Sequence, residues 1–339
     1  MRRRDFTIGL LFATAARTVR AQQQAKQHRI AIVIPAGPVA VISEIGSDSF
    51  RRRYYQTFFE QLRRLGDLEG RNLVIERYSG EGRPEGYADL ARQVVTRNPD
   101  LIVAQTNPVA LAVRAVTDTI PVVWIGVDPI SEGLVTSLSR PGGNLTGVSL
   151  YDFEIYGKRL QILKQAIPSA SNIGWLTPRR TWEGDYGRPF QRVFLEAARR
   201  LELSIMPLLV QESTPSEYER VFAEIAPAPP DAIMVSDIGD LIPYRQLIVE
   251  LIEKNRLPAI YGYRDYVEAG GLMAYGAELG ELGRRMAEDV HEILTGEKPG
   301  DIPIYQATKF YFMINLRAAN AIDLPLPPAL LARADEIIE

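Results

Sequence analysis

Apolar and polar positions alternate along the chain in two distinct periods. From Arg29 onward, short β-rich apolar runs at 30–34, 73–76, 101–104 and 122–126 predict buried parallel strands. Between them, helical spacing of apolar positions predicts helices over Phe50–Leu65, Tyr87–Arg97 and Val109–Val116. The second half has the same rhythm, with strands near 172–177, 204–210, 231–236 and 258–261 and helices near 187–201, 216–225 and 240–254. After Gly271 the pattern changes to a strand at Leu272–Tyr275, a long amphipathic helix at Glu278–Leu294, a strand at Lys309–Ile314 and a closing helix at Leu330–Ile338. Strand-helix alternation of this kind implies parallel sheets wrapped by helices, an α/β fold.

The two halves also share landmarks in the same order. Ile30–Pro35 is echoed by Ile173–Pro178, Pro99–Ala104 by Pro230–Val235, Ile120–Trp124 by Leu257–Tyr261, and Gly142–Gly147 by Gly270–Gly276. Five such matches, counting Arg64-Leu65 against Arg200-Leu201, predict two similar Rossmann-like lobes with a small-molecule cleft between them. The repeats end at Gly147 and Gly276, so the chain is expected to cross between lobes there, with a third crossing within Ile304–Tyr311. The expected division is 29–146 plus 277–305 for the first lobe and 147–276 plus 306–339 for the second.

The N-terminus breaks the rhythm. Arg2, Arg3 and Arg4 precede a short apolar stretch at Phe6–Ala16, and Val19-Arg20-Ala21 offers small residues at the positions a signal peptidase reads. Residues 1–21 therefore read as an export signal cut before Gln22, and Arg3-Arg4-Asp5-Phe6 also fits the twin-arginine type. Residues 22–28 read as a polar flexible lead. Cutting there removes five Arg and one Asp and moves the formal charge from −3 to −7. An acidic mature protein argues against nucleic acid, whose phosphates reward a basic face. With no cysteine the chain has no disulfide, thiol nucleophile or lipid-modified cysteine anchor, which points to a free periplasmic protein. Composition, 46% apolar and 24% charged, fits a globular protein of two domains.

In open parallel α/β sheets ligands sit beyond the carboxyl ends of the strands, where helix N-termini present free N–H groups. That places candidate ligand-binding residues without any catalytic motif. In the first lobe they are Gln105, Thr106 and Asn107, before the helix entered at Pro108, together with Asp128. Thr106 or Asn107 can cap that helix, and the same geometry favours a ligand carboxylate. Asp128 can meet a ligand ammonium or serve as a turn residue before Pro129. In the second lobe the candidates are Arg179 and Arg180 as a carboxylate clamp, Ser236 and Asp237, and the aromatic residues Trp182, Tyr263 and Tyr275 as a stacking wall or as core.

Enzyme signatures are scarce. The two histidines, His28 and His291, leave no histidine-based metal cluster or triad, and Pro141-Gly142-Gly143 precedes a strand instead of following one, so it is a turn and not a phosphate loop. No cofactor is expected, and the chain reads as a binding protein and not an enzyme.

Several segments carry a family resemblance. Gly133–Gly147, Ala269–Gly276, Pro303–Phe310 and Ala332–Glu339 resemble the ABC-transporter substrate-binding family of tryptophan/tyrosine type, over essentially the whole mature chain. The resemblance implies a type I periplasmic-binding fold and delivery of a small solute to an inner-membrane permease; with the three hinge crossings and the strand-end residues above, the expected protein is a monomer that captures a small carboxylate or amino-acid-like ligand. A periplasmic module presenting ligand to a signalling receptor is the alternative. The chain departs from the family pattern in the loop Pro35–Ser49, which is longer and more apolar, and at Arg179–Trp182, where small and asparagine-rich residues are usual.

Overall fold

The β-rich runs assemble into two separate sheets. The computed structural model describes residues 27–43, 49–150, 153–184, 188–239 and 241–339; the export signal expected over residues 1–21 lies outside the described residues. The first lobe contains β1 (His28–Ile34), α1 (Ser49–Leu65), β2 (Leu73–Ser79), α2 (Tyr87–Thr96), β3 (Leu101–Gln105), α3 (Asn107–Arg114), β4 (Val122–Gly126) and β5 (Leu145–Ser149). The second contains α4 (Glu154–Ala166), β6 (Asn172–Pro178), α5 (Arg179–Glu183), α6 (Arg188–Arg200), β7 (Ser204–Val210), α7 (Pro215–Ile225), β8 (Ala232–Val235), α8 (Arg245–Lys254), β9 (Ala259–Tyr261), α9 (Arg264–Glu268) and β10 (Met273–Ala277). The chain returns to the first lobe for α10 (Leu279–Leu294) and β11 (Tyr305–Gln306). It ends in the second with β12 (Phe310–Asn315), α11 (Leu316–Ala321), α12 (Pro328–Leu331) and β13 (Glu336–Ile338).

The six-stranded sheet has the order β11-β5-β4-β3-β1-β2 and is parallel throughout. The seven-stranded sheet, β13-β12-β10-β9-β8-β6-β7, is parallel except where β12 runs against β10. Three connections join the lobes: Ser149 to Phe153, Ala277 to Leu279, and Gln306 to Phe310. The boundaries expected after 146 and after 305 cut through β5 and β11, which pair with each other in the first sheet. The first crossing leaves at Ser149 instead of Gly147 because β5 completes its ladder with β4 and β11, and the third, Gln306 to Phe310, lies within the expected Ile304–Tyr311.

Side chains alternate across each sheet with the strand period of two. In the first lobe Ala31, Val33, Ile102, Ala104, Val122 and Trp124 bury one face against α2 and α3. Ile30, Ile32, Val103 and Val123 bury the other, beside Phe58 and Leu62 of α1 and Leu282 and Met286 of α10. In the second lobe Ile173, Trp175, Ala232 and Met234 pack with α4 and α6, and Leu176, Ile233, Val235 and Tyr261 pack with α7, α8 and α9. One apolar cluster is continuous across both lobes, from Tyr54 and Tyr55 of α1 to Tyr263 and Tyr266.

The expected closing helix at Leu330–Ile338 is a correction. Only Pro328–Leu331 is helical, and Glu336–Ile338 pairs with β12 as an edge strand. Asp335 causes the switch: its carboxylate accepts the Phe312 N–H at 2.7 Å and its own N–H donates to the Phe312 carbonyl at 2.8 Å. That clamp fixes the chain in register with β12 just before two β-branched residues. Among the described residues, no helix is long and apolar enough to cross a membrane.

Candidate functional site

In the second lobe, the carboxyl ends of β6, β8, β9 and β10 converge on a buried polar node. Arg159, on α4, is fully buried, and its Nη1 lies 3.0 Å from Asp237 Oδ2. Its Nε donates to the Tyr275 carbonyl at 2.8 Å, and the guanidinium lies 5.2 Å from the centre of the Tyr156 ring. The Tyr156 hydroxyl donates to Asp237 Oδ1 at 2.5 Å, and the Tyr263 hydroxyl donates to the Asp237 carbonyl at 3.1 Å. Burial first, and the Asp237 charge second, push the Tyr263 hydroxyl well above its ordinary pKa, so it acts as a donor. Gly262 makes the approach possible: a Cβ there would meet Asp237 Cβ at 2.8 Å and Arg159 Nη2 at 3.0 Å.

Next to this node, the register Leu176↔Val235 brings Thr177 and Ser236 level on neighbouring strands, facing the same side. Both side chains are buried, and neither hydroxyl has a hydrogen-bond partner among the described residues. A buried hydroxyl without a partner carries a desolvation cost of about 1–3 kcal/mol, which a ligand or water can relieve. Aromatic rings line the same side, with Phe190 4.7 Å from Tyr156 and 5.4 Å from Trp175.

The first lobe offers a different kind of signal. Thr106, at the N-cap of α3, has φ 78° and ψ 154°. That region is close to glycine-only, and a β-branched residue held there stores about 1–3 kcal/mol of strain. Its side chain makes no capping bond, and its buried Oγ1 has no hydrogen-bond partner among the described residues. Beside it, Gln105 donates from Nε2 to the Tyr55 hydroxyl at 2.7 Å. The Asn107 amide is committed internally: Nδ2 donates to the Val127 carbonyl at 2.7 Å, while Oδ1 accepts from Val127 N at 3.1 Å and Trp124 Nε1 at 3.2 Å. Asn107 thus ties the start of α3 to the end of β4 and does not cap the helix. Asp128 has φ 37° and its carboxylate accepts the Ser131 N–H at 3.1 Å, the turn geometry. Burial raises the nearby Glu132 carboxyl; the Asn107 amide opposes this and the Asp128 charge adds to it.

Of the residues singled out in sequence, Ser236, Asp237, Tyr263 and Tyr275 come together in one node. Arg179 and Arg180 follow the end of β6 on the short α5, where Arg179 pairs with Glu183 at 2.7 Å and Arg180 is exposed. Trp182 packs part-buried against the second-lobe core, and the Tyr275 ring stacks on Phe310 at 5.9 Å. Sequence reasoning missed Arg159, Tyr156 and Thr177. The lobes themselves touch through Arg53 of α1, whose Nη1 and Nη2 reach Asp265 at 3.3 Å and Glu268 at 2.5 Å on α9. Among the described residues, no group of three His, Asp or Glu side chains could hold a metal ion.

The family described as ABC transporter substrate binding protein matches residues 38–338, and the chain belongs to it. A tyrosine-binding protein of Clostridioides difficile is 26% identical over 268 residues, covering 79% of this chain and 75% of its own length. Among solved structures, a conserved domain protein of Vibrio cholerae is 24% identical with a TM-score of 0.80, covering 92% of this chain and all of that one. The ABC domain of Streptococcus pneumonia in complex with L-Trp is 22% identical with a TM-score of 0.78 over the same shares. The likeness shows the fold, two mostly parallel sheets with helices in the type I periplasmic-binding architecture.

Proposed function

We propose that this chain is the exported solute-binding component of an ABC importer, capturing an amino-acid-like zwitterion between its lobes and handing it to a membrane permease. The observation that carries the ligand class is the buried Asp237 node beside two hydroxyls, Thr177 and Ser236, that have no hydrogen-bond partner among the described residues. Asp237 and the hydroxyls suit a ligand ammonium, while Arg159 holds Asp237 in place and balances its charge. From the first lobe, Gln105, the strained Thr106 and Asp128 supply the opposing wall, and the α3 N-terminus favours a carboxylate. Trp182, Tyr263, Tyr275 and the Tyr156–Phe190 rings supply apolar surface for a flat side chain. Arg179 or Arg180 would serve only as a rim charge. The names of the tyrosine-binding relative and the L-Trp complex support the same ligand class. No bond is made or broken: capture works by closing the lobes, and the closed form is what a permease recognises. The acidic mature chain expected after removal of residues 1–21 suits a free, monomeric periplasmic carrier.

Titration calorimetry with L-tyrosine, L-tryptophan and their amides tests the ligand class. Loss of one charge-assisted hydrogen bond, about 1.5–3 kcal/mol, weakens binding roughly ten- to a hundredfold. Asp237→Asn should show that loss for the free amino acids, with folding checked by circular dichroism. Equal binding by variant and parent would refute the charged reading, as would no binding of either amino acid to the parent.

A further inference from the structure

Among the described residues, the contact of Arg53 with α9 is a place where charge crosses from one lobe to the other. α1 belongs to the first lobe by its packing on α10, where Gln61 donates to Glu288 at 3.2 Å. α9 belongs to the second lobe, between β9 and β10, and the N–H of Arg264 at its start donates to the Tyr311 hydroxyl of β12 at 2.6 Å. The Arg53 guanidinium forks across the gap to Asp265, whose side chain is 1% exposed, and to Glu268. Arg264 also holds Glu268 at 3.0 Å, and its other nitrogen reaches Glu336 at 2.8 Å, so the acceptor side is held in place from β13. Burial alone would raise the Glu268 carboxyl; hydrogen bonds from Arg53 and Arg264 outweigh it and hold the carboxyl below its ordinary range.

The fork stands close to a crossing between the lobes: Gly280 and Gly283, at the start of α10 just after the Ala277–Leu279 connection, lie against Thr57 and Tyr54 of α1. A rotation about the crossings that parts α1 from α9 breaks both contacts. Opening would also leave Asp265, buried in the described conformation, without its cross-lobe cation.

We propose that Arg53 is a positioning residue of the closed form: its fork to Asp265 and Glu268 joins the lobes in the described conformation and raises the closed population before any ligand arrives. The lobes are the moving parts of the binding reading above, but the test needs neither ligand nor permease, so the two can fail separately. The native chain contains no cysteine, so Ser131→Cys and Glu212→Cys, both exposed at strand ends of opposite lobes, can carry a spin-label pair cleanly. Pulsed dipolar distances on the ligand-free protein should show two populations. Arg53→Gln should lower the closed-to-open ratio by about three- to tenfold, and Glu268→Gln by a smaller factor in the same direction. At about 1 M salt, where the screening length is near 3 Å, the difference between parent and Arg53→Gln should shrink. A distribution unchanged by Arg53→Gln in low salt, with circular dichroism showing a folded protein, overturns the proposal. So does a lone open population in the parent.

Discussion

Replacing Arg159 with Met should be among the most costly single changes in the second lobe. The side chain is fully buried, and its charge is balanced by Asp237 at 3.0 Å, which is itself buried. Met fills much of the same volume but leaves the carboxylate with the Tyr156 hydroxyl as its side-chain partner and takes the donor from the Tyr275 carbonyl. Breaking one side of a buried ion pair costs about 3–5 kcal/mol, because the remaining charge stays desolvated. Urea unfolding followed by tryptophan fluorescence reads this directly, as Trp175 packs 5.4 Å from Tyr156. With a slope of about 3 kcal/mol per molar urea, the midpoint should fall by roughly 1 M or more. Asp237→Leu alone should be comparably damaging, since it strands the guanidinium instead. The double variant carries the argument. An apolar pair in place of a buried ion pair is often neutral, so Arg159→Met with Asp237→Leu should recover at least about 2 kcal/mol of the summed single losses. A coupling energy below about 0.5 kcal/mol would mean that water reaches the pair and would refute the desolvation reasoning.

Two further outcomes follow from single residues. Thr106→Gly removes a β-branched side chain from a glycine-only backbone region and deletes a partnerless hydroxyl, so the thermal midpoint should hold or rise, while affinity for L-tyrosine or L-tryptophan drops about tenfold; a fall in stability of more than about 1 kcal/mol would show that Thr106 is not strained in solution. Asp289 of α10 has its carboxyl pushed up to about 8, by burial against the opposing Arg285 charge and with Glu292 and Glu288 adding to the rise. In the unfolded chain it ionises near about 4, so between those values the folded state holds a proton that the unfolded state lacks. The Asp289 contribution is therefore greatest at low pH and is lost as pH climbs towards 8. Asp289→Asn should accordingly gain stability relative to the parent on going from pH 5 to pH 8 in urea titrations, and an offset independent of pH would contradict this.

The alternation of strands and helices was legible because it depends on local periodicity, and most expected elements lie within a few residues of the observed ones. Where the reading failed, a tertiary contact outweighed the local pattern. Leu330–Ile338 has helical spacing, yet a free sheet edge and the Asp335 clamp on Phe312 convert its end into a strand. The crossing expected at Gly147 moved because β5 continues to Ser149, pairing with β4 and β11. The site was legible in part for the same reason. Residues that end a strand, such as Ser236 and Asp237, are found by position, since the fold class sends strand ends to the cleft. Arg159 could not be found that way. It stands between Lys158 and Leu160 in an amphipathic helix, where a charge ordinarily faces water, and its burial depends on an aspartate brought in by a different strand. Arg179 shows the converse, since a charge at a strand end is free to turn outward when a short helix supplies Glu183 four residues on. A buried charge is decided by whether desolvation is compensated, and that compensation comes from groups distant in sequence. The polar node that organises the second lobe therefore becomes visible only once the sheet has brought its members together.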